Sequence, residues 1–183
     1  MKDHGPWKIK SSEVKYKNHW MEVREDQVIR PDGKDGIYGV VTKRSGVSVL
    51  ALDDAGNVYL TDEFKYTMGS QYVEAVNGFI DDGETPLEAA QRELREEIGI
   101  TADEWVNLGL VNPFTEGVYS PAYIFLARKL HFGKNQLDGS EVIEMRKVKF
   151  SDAVEMVMDS KITHGPGCVL ILKAARFLEK ERV

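Results

Sequence analysis

The sequence predicts a mixed α and β protein whose strands are mostly joined by hairpins, with a small antiparallel β unit ahead of the main domain. Three observations carry that reading. Apolar and polar residues alternate in several short runs, turn-forming clusters such as IRPDGKDG and DDAGN separate them, and one later stretch switches to helical spacing. At 183 residues the chain is long enough for one core to bury about 70% of its unfolded surface without disulfide or metal staples. Its 42% hydrophobic and 30% charged residues are ordinary for a globular protein.

Residues 1–42 form the first unit, in which HWMEVREDQVI and GIYGVV flank a Pro/Gly/Asp cluster with hairpin chemistry. The main domain, residues 43–183, opens with GVSVLALDDAGNVYLTDEF, two β-like runs about a turn. QYVEAV is a third strand entering the helical stretch. WVNLGLVN, AYIFLARKL and VIEMRKVKF follow as strands, the last after the polar loop GKNQLDGS. SDAVEMVMDS has helical apolar spacing with Ser151 at its N-cap, and residues 165–183 read as a helix with a polar tail. Hairpin connections of this kind exclude an all-parallel, doubly wound sheet.

Composition narrows the function. A net charge of −6 argues against nucleic acid, whose phosphates call for clustered Lys and Arg. A small anionic substrate stays open, because a bound divalent cation inverts the local field. The lone cysteine, Cys168, forms no intramolecular disulfide and no thiolate metal site, and in the apolar run GCVLIL it reads as a core residue rather than a nucleophile. His4, His19, His131 and His164 show no ligand spacing and read as surface or structural. MKDHGPWKIK lacks the apolar core of a signal peptide, and no run of about 18 apolar residues exists. The expectation is a cytoplasmic protein with no membrane partner.

Seven carboxylates and two arginines crowd into GFIDDGETPLEAAQRELREEIGI, residues 78–100. Thr85-Pro86-Leu87-Glu88 is a capping-box start with Pro at the first helical position, and Gly99 suits the residue past the helix end. Leu87, Ala90, Leu94 and Ile98 fall in one arc of about 80°, a core-facing stripe. Glu93, Glu96 and Glu97 occupy a neighbouring arc of about 100°. A solvated face is one account of them. Yet Glu93 and Glu97 repel at i, i+4, and all three sit in the half of the helix where the dipole disfavours anions. Three such carboxylates are hard oxygen ligands for Mg²⁺ or Mn²⁺, with Arg92 and Arg95 offsetting the repulsion when no metal is bound. On spacing alone the two accounts stand level.

The stretch resembles the Nudix box, G-x5-E-x7-R-E-U-x-E-E-x-G-U with U aliphatic, at every fixed position: Gly78, Glu84, Arg92, Glu93, Leu94, Glu96, Glu97, Gly99 and Ile100. The resemblance implies an α/β/α sandwich with a mixed sheet, and hydrolysis of nucleoside diphosphates linked to another moiety. It implies that Glu93, Glu96, Glu97 and the main-chain carbonyl of Asn77 hold the metal, Mg²⁺ or Mn²⁺, with Glu97 catalytic. Gly78, Glu84, Arg92 and Gly99 would shape the loop and helix, Glu84 and Arg92 as an ion pair.

Beyond the box, the N-terminal unit and EFKYTMGSQYVEAVNGFIDDGETPLEAAQRELREE are similar to the ADP-ribose and nucleoside-diphosphate-sugar pyrophosphatases. That branch implies a homodimer that exchanges N-terminal strands, and products such as a nucleoside monophosphate and a sugar phosphate. Lys65 falls at a phosphate-contacting place, with Lys43 or Arg44 serving similarly; a solvated lysine is the alternative for each. Trp20, Tyr16 and Tyr38 are candidates for stacking on the base, with hairpin packing as their other role. Glu141 is the first choice for the catalytic base and Glu144 the second, in what is otherwise a plain polar loop. TEGVYSP departs from the Pro-Gly pair usual in ADP-ribose enzymes, which favours a broader sugar-nucleotide range. A dinucleoside polyphosphate or nucleotide hydrolase of the same family is the alternative. A non-catalytic ADP-ribose-binding module is disfavoured because all three glutamates are kept.

Overall fold

Turn residues set the architecture. The computed structural model describes residues 1–137, 139 and 142–181. Along the described residues run β1 (Lys2–His4), β2 (Trp7–Lys17), β3 (Met21–Ile29) and β4 (Asp35–Lys43). Next come β5 (Gly46–Leu52), β6 (Asn57–Lys65), β7 (Ser70–Glu74), β8 (Val76–Phe79) and α1 (Pro86–Ile98). β9 (Ile100–Val111), β10 (Val118–Tyr119), β11 (Ala122–Phe132), β12 (Ile143–Lys149), α2 (Phe150–Met158) and α3 (Gly165–Glu181) complete the order. No helix among the described residues is long and apolar enough to cross a membrane.

The chain divides into two units, residues 1–44 with 112–121, and residues 45–111 with 122–183. In the first, β1 to β4 form an antiparallel meander, turned at Pro31–Gly33, where Gly33 takes a φ of 81° and donates to the Arg30 carbonyl at 2.9 Å. β10 joins it parallel to β4, Val118 opposite Val41. Val28 is the one hydrophobic side chain fully buried in this unit among the described residues, beside the buried Asp26, which Arg24 pairs at 2.9 Å.

The second unit is built on a mixed sheet ordered β12-β6-β5-β11-β9, with β7 on β6 and β8 on β5. β11 runs parallel to β5; the other pairings are antiparallel. Period-two alternation splits the two faces. Val47, Val49 and Ala51 of β5, with Phe125 and Ala127 of β11, pack on Ala89, Ala90, Leu94 and Ile98 of α1. Leu50, Leu52, Ile124 and Leu126 point the other way, against Ala153 of α2 and Leu170, Ile171 and Ala174 of α3. The result is the α/β/α sandwich that the resemblance implies.

Local chemistry explains the helix that matters most. Thr85 caps α1, its Oγ1 accepting from the Glu88 amide at 3.3 Å while the Glu88 carboxylate takes the Thr85 amide at 2.8 Å. Gly99 closes it with a φ of 67°, and a Cβ there would lie 2.7 Å from the Asn135 nitrogen, so only glycine fits both the turn and the chain folded over it.

Two expectations are corrected. Leu87 is exposed, not part of the buried stripe: in the first turn it faces an open depression lined by Trp105, Asn107 and Tyr123, and Ala89 is the residue buried instead. Ser151 does not cap α2. Lys149 does so with extended backbone and no side-chain bond, because β12 runs directly into the helix and the Phe150 amide is already taken by the Gly56 carbonyl at 2.9 Å.

Candidate active site

The helix α1 brings Glu93, Glu96 and Glu97 to one face, and Arg92 answers their mutual repulsion. Its Nε and Nη2 grip the Glu84 carboxylate at 2.7 and 3.0 Å, and Nη2 also donates to the Phe79 carbonyl at 2.9 Å. Nη1 reaches Glu93 Oε1 at 2.8 Å and Glu96 Oε2 at 3.2 Å. One guanidinium therefore ties the loop before the helix to two of the three helix carboxylates, in the fork geometry that suits Arg and not Lys. Its pKa is raised above its ordinary value, chiefly by the Glu84 hydrogen bond, with Glu93 and Glu96 adding to it against the opposing effect of burial. Arg95 adds a weaker partner, 3.6 Å from Glu96 Oε1. Glu97, in the last turn, is 7% exposed, a value far from that of a solvated face.

Gly78 is where the backbone meets this face. A Cβ at that position would fall 1.9 Å from both Cδ and Oε1 of Glu93, so the missing side chain is what lets the carboxylate lie against the main chain. The residue before it, Asn77, pairs with Ser48 across β8 and β5. Its Nδ2 donates to Glu74 Oε2 at 3.3 Å and to the Ala75 carbonyl, while its Oδ1 is buried and unbonded among the described residues.

The donor set is entirely oxygen: three carboxylates, the main chain of β8 at Asn77 and a buried amide oxygen. That is the chemistry of Mg²⁺ and Mn²⁺ sites, not of zinc or copper. Among the described residues no three such side chains already converge on one point, and Arg92 lies between Glu93 and Glu96. The set fits a hard cation by donor type.

Other sequence-predicted residues fall as follows. Lys65 ends β6 and engages Glu63 and Glu74. Lys43 ends β4 and Arg44 follows, its Nη1 3.1 Å from the His19 ring; both belong to the first unit. Tyr38 packs edge-on to Trp7 at 5.5 Å, while Trp20 and Tyr16 are exposed. Glu144 is exposed on β12 opposite Asp62. Glu141, read as the base, lies outside the described residues. Sequence reasoning missed Glu74, 7% exposed, and Glu63 beside it. A lone acid inside the apolar run QYVEAV was the available signal.

Comparison with known proteins decides the family. Residues 42–166 match the NUDIX domain. The chain belongs to the Nudix hydrolase family. Residues 7–41 match the nucleoside diphosphate sugar hydrolase N-terminal domain, the branch that the resemblance named. An ADP-ribose pyrophosphatase of Bacillus subtilis is 29% identical over 139 residues, 75% of this Nudix chain and 75% of that one. An ADP-ribose pyrophosphatase of Mycobacterium tuberculosis is 36% identical over 96 residues, 52% of this chain, which thus covers 46% of the relative. A crystal structure of an ADP compounds hydrolase superposes with a TM-score of 0.87 at 20% identity over 99% of this chain and 98% of its own, a likeness of fold. Nudix hydrolases as a family require a divalent metal, in keeping with the oxygen donors of α1.

Proposed function

We propose that this Nudix chain hydrolyses the pyrophosphate bond of nucleoside diphosphate sugars, ADP-ribose among them, with Mg²⁺ as its metal and Mn²⁺ as a substitute. The observation that carries the reading is the Glu93 carboxylate seated on Gly78 beside Glu96 and Glu97, in a chain whose first 41 residues include the nucleoside diphosphate sugar hydrolase N-terminal domain. The names of the relatives, ADP-ribose pyrophosphatase twice over, support the substrate class.

Glu93, Glu96, Glu97 and the Asn77 carbonyl would hold the metal. When bound, a divalent ion neutralises phosphate oxygens and lowers the pKa of a water molecule toward neutrality. The chain's own residues do the rest. Arg92 keeps Glu93 and Glu96 aligned with the loop, Lys43 and Arg44 take substrate phosphate, and Glu141, with Glu144 second, accepts the proton of the attacking water. Water oxygen bonds to one phosphorus, the bridging P–O bond breaks, and a nucleoside monophosphate and a sugar phosphate leave. A cytoplasmic location is part of the same proposal.

The test is release of phosphatase-sensitive monophosphates across ADP-ribose, ADP-glucose, GDP-mannose, diadenosine polyphosphates and deoxynucleoside triphosphates. Turnover confined to the sugar diphosphates is expected. Turnover of triphosphates or dinucleoside polyphosphates instead would move the chain to another branch of the family. Tight ADP-ribose binding without any turnover would make it a binding module.

The reading also includes a homodimer formed through the N-terminal unit. In support, this sheet buries few apolar residues, and Val14, Tyr16 and Ile37, with Trp20 in the turn between β2 and β3, are each at least half exposed, a surface that a second copy would cover. Sedimentation is expected to give twice the 20.7 kDa chain mass, and a monomer at micromolar concentration would contradict the dimer.

A further inference from the structure

Lys65 and Glu63 stand two residues apart on β6, hence on the same side of the strand. The Lys65 ammonium lies 2.5 Å from Glu63 Oε2 and 3.4 Å from Glu74 Oε2. All three side chains are withdrawn from solvent, that of Glu74 most of all, its side chain alone 10% exposed. Glu74 Oε2 also accepts the Asn77 amide at 3.3 Å. A continuous path thus runs from Lys65 through Glu74 to Asn77, the residue that precedes Gly78 and the seat of Glu93. Burial works against the charge on Lys65, yet Glu63, Glu74 and the more distant Glu97 outweigh it and raise its pKa.

A lysine so placed is poorly disposed to leave for a phosphate. Its departure would strand a buried carboxylate without its counter-charge, which is strongly unfavourable. We infer that Lys65 is a positioning residue: it holds Glu74, and through Glu74 the Asn77 amide, so that the strand entering the box presents one fixed main chain to the metal-binding face. This departs from the phosphate contact expected of Lys65 from the sequence. It rests on the metal-dependent reading proposed above.

The experiment titrates Mn²⁺ onto the full chain by calorimetry or electron paramagnetic resonance, and measures kcat and KM for ADP-ribose at saturating Mn²⁺. The proteins are the native chain, Lys65→Met, Glu74→Gln, the double variant, and Glu97→Gln as a control. Outer-shell partners of metal ligands typically alter affinity by 10- to 100-fold, so Lys65→Met is expected to weaken Mn²⁺ binding about tenfold while KM stays within about twofold. In the Glu74→Gln background the same lysine substitution is expected to change Mn²⁺ affinity by less than about twofold, because a neutral amide in place of the Glu74 carboxylate needs no counter-charge. A KM raised about tenfold by Lys65→Met in both backgrounds, with Mn²⁺ affinity unchanged, would overturn the inference and return Lys65 to the phosphate. If Lys65→Met alone fails to fold, comparison of Glu74→Gln with the double variant makes the same distinction. Failure of the metal reading itself has a separate signature: the native chain binds no Mn²⁺, or Glu97→Gln binds it as tightly.

Discussion

Glu97→Gln is expected to lower kcat at least about a hundredfold, which corresponds to about 2.7 kcal/mol of lost transition-state stabilisation. Glutamine has the shape of glutamate, so the last turn of α1 keeps its packing while the change removes the negative charge and puts an amide donor in place of one carboxylate oxygen. Stability should move the other way. Glu93 and Glu97 repel at i, i+4, and the C-terminal half of a helix disfavours anions, each by a few tenths of a kcal/mol. A thermal midpoint equal to or slightly above that of the native chain, together with near-complete loss of ADP-ribose turnover, is the expected pair of results. A loss of activity accompanied by a large fall in midpoint would mean that Glu97 holds the fold, and undiminished activity would remove it from the site. The opposition between the two signs is the physical signature of a group kept for chemistry at a cost to folding.

That same opposition made the site legible in the sequence. A helix start with cap, proline and capping box, followed by an apolar stripe, specifies α1 locally, and every one of those bonds lies within four residues of its partner. The carboxylates stand out because they sit where local stability would not put them. What escaped was set by partners distant in sequence. Glu74 is a lone acid in the apolar run QYVEAV, but nothing local names the charge that would let it be buried; Lys65, arriving across the β6–β7 hairpin, supplies it. Leu87 fits the apolar arc by angle, but the arc says nothing of how closely the sheet packs against the first turn, and there Trp105 and Asn107 of β9 and Tyr123 of β11 line an open depression beside it. Residues 112–121 join the N-terminal unit by pairing β10 with β4, a contact that no periodicity could announce. Local rules therefore fixed the element that carries the three box carboxylates, while long-range pairing fixed what surrounds and supports it.

Gly78→Ala is the second large effect, and its mechanism is steric. The new methyl would lie 1.9 Å from Glu93 Cδ and Oε1 and 2.5 Å from Cγ, inside any tolerable contact. The obstructed atoms are the far end of a flexible side chain, so the cheapest relief is for the Glu93 carboxylate to swing away, not for β8 to move. Arg92, bonded to Glu93 Oε1 at 2.8 Å, can follow it or keep Glu84 and Glu96 alone. Folding should therefore survive with a modest change in midpoint. Catalysis should not, since a misplacement of about 1 Å in a positioned group can cost about a hundredfold in rate. The decisive comparison is a double-mutant cycle with Glu93→Gln. If the methyl acts by displacing Glu93, Gly78→Ala and Glu93→Gln each abolish the same interaction, and the double variant is no slower than the slower of the two. Multiplicative losses would instead mean that Gly78 serves the reaction by a route independent of Glu93, such as close approach of the main chain to the substrate phosphates.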